Sequence, residues 1–74
     1  MKVISTTDLS CEGNDCYIYK SVNLVETFGM YAVIITEKTV GWFENKEIYT
    51  VGEPCRILNS AILLYEEYGG VWED

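Results

Sequence analysis

The chain has 74 residues and a mass of 8.5 kDa, with twelve acidic against five basic side chains, a net charge of −7, no histidine, three cysteines and one proline. That length excludes two domains, and a domain so small buries only about 60% of the surface its unfolded chain exposes. The missing histidine excludes imidazole catalysis and His-ligated metals, the shortage of Lys and Arg argues against direct nucleic-acid binding, and 49% hydrophobic with 14% aromatic residues excludes a disordered acidic tail.

The N-terminal stretch 2–7 is rich in Val, Ile and Thr and reads as a first strand. It has no apolar segment of signal-peptide length, and the longest apolar runs (30–35 and 61–65) are far too short for a bilayer. These features predict a cytoplasmic protein with no membrane contact. Residues 8–15 combine Ser, Gly, Asn and three acids, the composition of a loop. Residues 16–22 alternate, with Cys16 and Ile18 on one face and Tyr17 and Tyr19 on the other, the period of a strand. Residues 23–29 extend that strand or form a bend ending at Gly29.

Residues 30–38 open with six consecutive apolar residues, as in a central strand with both faces covered. Two further strands are predicted at 39–44 and 47–51, joined by a hairpin turn at Asn45 and Lys46. At Gly52-Glu53-Pro54 the signals switch to those of a helix N-terminus. From Cys55 the apolar period becomes 3.6, with Cys55, Leu58, Ala61, Ile62, Tyr65 and Tyr68 in one stripe widened by Ile57 and Leu64. Gly69-Gly70 ends the helix, and Val71-Trp72 forms a tail able to fold back on the core. The expected fold is α+β: a single domain, 1–74, with a small antiparallel sheet of four or five strands and one C-terminal helix packed on one face.

No catalytic constellation emerges, so an enzyme is not expected. Cys55 falls in the first turn of the predicted helix, where the dipole can lower a thiol pKa, but it also falls on the buried stripe. Cys11 and Cys16 flank a loop that a disulfide could close, although three reduced thiols suit a cytosolic chain better. A zinc site built from Cys11, Cys16 and Cys55 lacks a fourth ligand. Asp8, Glu12 and Asp15 do not follow a calcium-loop spacing, and the pairs Glu66-Glu67 and Glu73-Asp74 read as solvated carboxylates. No cofactor or metal is expected.

One helix cannot cover both faces of such a sheet, while Tyr31, Val33 and Ile35 on one face and Met30, Ala32 and Ile34 on the other are all apolar. The uncovered face, or an edge strand, is therefore expected to be an interface. The candidate surface comprises Tyr17, Tyr19, Tyr31 and Trp42 as aromatic anchors, with Glu44 and Glu47 at its rim. The leading expectation is a small acidic, non-enzymatic interaction protein that occupies a partner's surface. In its sharper form it inhibits a basic nucleic-acid-handling protein, as mobile genetic elements encode against host defence. Alternate residues of a strand stand about 6.6–6.8 Å apart, close to the spacing of successive phosphates, so strand carboxylates could fill a basic groove. The alternatives are an obligate homodimer whose sheet face closes on itself, and a thiol or zinc protein using the three cysteines.

Overall fold

The computed structural model describes residues 1–73. It contains β1 (Lys2–Asp8), β2 (Cys11–Gly13), β3 (Cys16–Thr27), β4 (Met30–Gly41), β5 (Asn45–Val51) and α1 (Leu58–Glu67). All strand pairings are antiparallel, in the order β1-β3-β4-β5, with β2 continuing beside β3 at the end where β1 stops. The fold is therefore α+β, a five-stranded antiparallel sheet with one C-terminal helix.

The centre of the sheet is a hairpin of two twelve-residue strands. Residues 23–27 extend β3, because Leu24 and Val25 pair with Val33 and Ala32 and are buried. The turn is Phe28-Gly29, both at positive φ (51° and 75°), the requirement of a type I′ hairpin turn whose twist matches that of the strands. The expected loop 8–15 contains β2, turned back onto β3 through Asn14 and Asp15, the latter at φ 58°.

Two expectations fail in the next segment. Residues 39–41 are the end of β4, not part of a new strand, and the turn lies at Trp42–Phe43–Glu44, closed by the Gly41 N–H donating to the Glu44 carbonyl at 2.8 Å. Pairing along the whole hairpin with β3, down to Cys16 opposite Gly41, holds β4 straight past the Thr39 position. Nor does Pro54 begin a helix. The Gly52 N–H bonds the Val33 carbonyl at 2.9 Å, the ladder then skips Glu53 and Pro54, and Cys55 exchanges two backbone hydrogen bonds of 2.7 Å with Tyr31. Proline lacks the N–H a ladder needs, so it marks an interruption in strand pairing here. The helix starts three residues past Cys55, after Ile57, which supplies no side-chain cap.

The core lies between α1 and the Phe28-proximal half of the sheet. Val22, Leu24, Val33, Ala61 and Tyr65 are buried together, with Ile4, Tyr31, Ile35, Leu58, Ile62 and Trp72 packed around them. The Tyr65 hydroxyl lies 3.1 Å from Ser5 Oγ and 2.5 Å from Thr7 Oγ1. The helix ends in a Schellman motif: Gly70 N–H to the Tyr65 carbonyl (2.8 Å) and Gly69 N–H to the Glu66 carbonyl (3.0 Å). Gly69 supplies the positive φ of 98°. Gly70 supplies the absence of a side chain, since a Cβ there would lie 2.6 Å from the Tyr65 ring. The tail then folds back as expected, with the Val71 N–H donating to Thr7 Oγ1 at 2.9 Å.

A ten-residue helix is about 15 Å long, and a twelve-residue strand about 40 Å. The molecule measures 42 × 23 × 17 Å. The helix thus covers only the proximal half of one face, and the distal half of the hairpin projects beyond it with both faces open.

Candidate functional site

Strand alternation and the register assign every sheet residue to a face. On the face away from the helix, three bands succeed one another along the hairpin. Nearest the Phe28 turn is an apolar band of Val3, Val25, Ala32, Ile34 and Val51. Its middle is closed off although it lies on the face away from α1: Val25 is only 2% exposed. Next comes a polar band: Thr6 Oγ1 donates to Asn23 Oδ1 (2.9 Å), Asn23 Nδ2 donates to Ser21 Oγ and to the Ile34 carbonyl (3.2 Å each), and Ser21 and Thr36 hydroxyls lie 2.7 Å apart. The distal band holds Tyr17 opposite Val40, Tyr19 opposite Lys38, and Lys38 opposite Glu47.

The structure brings most of the sequence candidates into this distal band. Tyr17 and Tyr19, two residues apart on one strand face, are in tilted ring contact, with centroids 4.4 Å apart and the ring planes at 49°. Trp42 sits in the turn beyond Val40 and shares a shallow recess with Val40 and Asp15. Glu44 closes that turn. Glu47 accepts a hydrogen bond from the Tyr49 hydroxyl. Tyr31 does not belong to the group: it lies on the helix-covered face, opposite Glu26, and packs against the core. Its separation from Tyr19 on the partner strand is an odd number of ladder positions, which reverses the face.

The candidate set from the sequence left out two members of this surface, Tyr49 and Phe43, and the exposed Phe28 outside it. Tyr49 lines an open trough of about 480 Å³ across the distal sheet with Tyr19, Thr36 and Lys38. Phe43 is 100% exposed and Trp42 84% exposed, because both leave the ladder at the turn. Phe28 is fully exposed at the opposite tip of the molecule. The Phe-Gly pair between two β-branched runs was the available signal for that turn.

Two groups on this face have displaced titrations. The Tyr49 phenol is held above the ordinary tyrosine range by the hydrogen bond it donates to Glu47, then by the Glu47 charge, with a smaller contribution from desolvation. The Asp8 carboxyl is held below the ordinary carboxylate value of 3.8 by hydrogen bonds from the Ser10 side chain and from the Ser10 N–H, the latter at 2.9 Å.

The acids are distributed, not stacked. Each strand carries a single carboxylate: Asp8, Glu12, Glu26, Glu37 and Glu47. No strand therefore presents two carboxylates at the alternate spacing that would follow successive phosphates. Glu12, opposite Tyr17, and Glu47, opposite Lys38, flank the distal band on its two sides.

The cysteines do not form one site. Gly13, not Cys11, stands opposite Cys16, and Cys11 stands opposite Ile18, so the two thiols are diagonal neighbours about 7–8 Å apart at Cα, beyond comfortable disulfide reach. Cys55 pairs with Tyr31, ten residues along β4 from the Gly41 that faces Cys16. It also lies outside α1, which removes the expected helix-dipole influence; its thiol points to the Glu53 carbonyl at 3.7 Å. Among the described residues no three of His, Cys, Asp or Glu are grouped to hold a metal, and no helix is long and apolar enough to cross a membrane. Asp74, one half of the terminal acidic pair, lies outside the described residues.

No family model, curated protein or solved structure matches this chain.

Proposed function

We propose that the protein is a non-enzymatic binding module that acts by occupying a partner protein's surface, and that the distal sheet face is its docking surface. The observation that carries this reading is the projection of that half of the hairpin beyond the helix, with the Tyr17–Tyr19 ring pair and the exposed Trp42 on it. Large aromatics held rigid on strands lose little entropy on binding and are the usual anchors of interfaces. The flanking carboxylates Glu12, Glu44 and Glu47, within a chain of net charge −7, favour a basic partner and speed its encounter. Inhibition of a basic nucleic-acid-handling protein is the sharper form of this reading. It works by covering a surface of that partner, not by imitating a phosphate ladder. The reduced cysteines suit action in the cytoplasm.

The test is capture of the partner from the native host on the immobilised protein, repeated with two variants. Tyr19→Ser combined with Trp42→Ser abolishes capture if the distal face is the docking surface. Glu44→Lys combined with Glu47→Lys weakens capture most at low salt, where rim electrostatics act. Undiminished capture by the aromatic double variant overturns the assignment.

A further inference from the structure

The two edges of the sheet are built differently. The β1 side is irregular: the register shifts between Val3 and Ser5, Leu9 and Ser10 interrupt the edge before β2, and the tail docks beside β1 through Val71 and Thr7. Bulges, short strands and covering segments are the usual means of preventing edge-to-edge pairing. β5 has none of these. It runs seven residues in unbroken register with β4, and every one of them is exposed.

The bond from Gly52 N–H to the Val33 carbonyl sets the phase of the outer ladder. In an antiparallel pair alternate residues turn both backbone groups to the neighbour. Thr50, Ile48 and Lys46 therefore face β4, and the N–H and C=O groups of Asn45, Glu47, Tyr49 and Val51 face outward.

We propose that β5 is a self-association edge, joining two copies of the chain through antiparallel β5–β5 pairing into one continuous eight-strand-wide sheet. The charge pattern favours a second copy as the occupant. The molecule carries −7, but β5 itself is neutral, with Lys46 and Glu47 as its only charges. Symmetry then selects the register. A two-fold axis joining antiparallel edges stands perpendicular to the sheet, so each residue faces itself or one an even number of positions away. Only centring on Ile48 pairs all seven residues. Ile48 then meets the partner's Ile48, Glu47 meets the partner's Tyr49, Lys46 meets the partner's Thr50, and Asn45 meets the partner's Val51. No like charges are opposed, and each Glu47 gains a second phenol beside the one it already holds. Because the β1 side is blocked, association closes at two copies and does not extend into a fibre. This differs from a dimer formed by stacking sheet faces. It leaves the distal face free, and it stands whether or not that face docks a partner.

The experiment is sedimentation of the full chain over a range of micromolar concentrations, with Ile48→Lys as the probe. In the monomer this substitution is benign, since position 48 is exposed and stands opposite Glu37. In the dimer it opposes two like charges across the axis and weakens association by roughly tenfold or more. The expected result is a mass rising with concentration from 8.5 kDa to twice that value, stronger association in salt as the two acidic bodies are screened, and loss of the dimer in Ile48→Lys with circular dichroism unchanged. A second variant fixes the register: Ile48→Cys in a chain with Cys11, Cys16 and Cys55 replaced by serine. The two Ile48 positions form a non-hydrogen-bonded pair, with Cα atoms about 4.5 Å apart, within disulfide reach, so oxidation yields a covalent dimer. A monomer at every concentration overturns the proposal and leaves the edge to an extended segment of another protein. A dimer that Ile48→Lys does not weaken, or that Ile48→Cys does not cross-link, overturns it equally.

Discussion

Gly70 and Tyr65 show how one missing Cβ positions the whole C-terminus. The Gly70 backbone crosses the face of the Tyr65 ring, and the Tyr65 hydroxyl reaches Ser5 and Thr7 on β1. Gly70→Ala forces ring and tail apart and costs about 1–3 kcal/mol, measured by chemical denaturation. The Tyr49–Glu47 pair gives a pH prediction. The folded state favours the neutral phenol, so it retains this proton to higher pH than the unfolded chain does. The associated stability is present below the ordinary tyrosine pKa and is lost as pH rises through the elevated folded value. Glu47→Gln removes the charge and weakens the acceptor, and an ultraviolet titration then finds the Tyr49 phenol shifted back towards the ordinary range.

At the scale of elements, α1 is a helix held by its buried stripe and its C-terminal glycines, not by its start. Its first turn contains no acid, and Ile57 at the N-cap makes no side-chain hydrogen bond. Ile57 has the extended backbone conformation that a capping residue needs (φ −107°, ψ 126°), and its side chain is mostly exposed. Ile57→Ser therefore supplies the missing acceptor at small loss of burial and stabilises the protein by roughly 0.5–1 kcal/mol, read as a rise in Tm. The hairpin elements behave differently. Pairing of β3 with β4 over their full lengths overrides local turn preference at Asn45-Lys46, and it carries a fully exposed Phe28 in a left-handed turn position.

The whole molecule is divided along its length into a half that folds it and a half that projects. Leu24 sits in the core cluster where sheet and helix enclose side chains, so Leu24→Ala costs about 2–5 kcal/mol. That is a large part of the total stability of a 74-residue domain, and denaturant unfolding detects it directly. Trp42→Ser, at the projecting end, changes stability by less than about 0.5 kcal/mol in the same assay. A comparable loss at both positions would mean that the distal half contributes to the core.

The sequence alone determined what depends on neighbours along the chain. The period-2 alternation around Tyr17 and Tyr19, the apolar run from Met30, the helical stripe through Ala61 and Tyr65, and the glycine stop at Gly69-Gly70 each follow from local geometry, and together they specify α+β. Tertiary structure decided what depends on register. Whether Pro54 starts a helix or interrupts a ladder turned on two hydrogen bonds between Cys55 and Tyr31. Whether Tyr31 joins Tyr19 turned on the pairing phase of β3 and β4, and whether Cys11 meets Cys16 turned on the two-residue turn at Asn14 and Asp15. The same long-range pairing left β5 open and β1 blocked, because only the assembled sheet has edges.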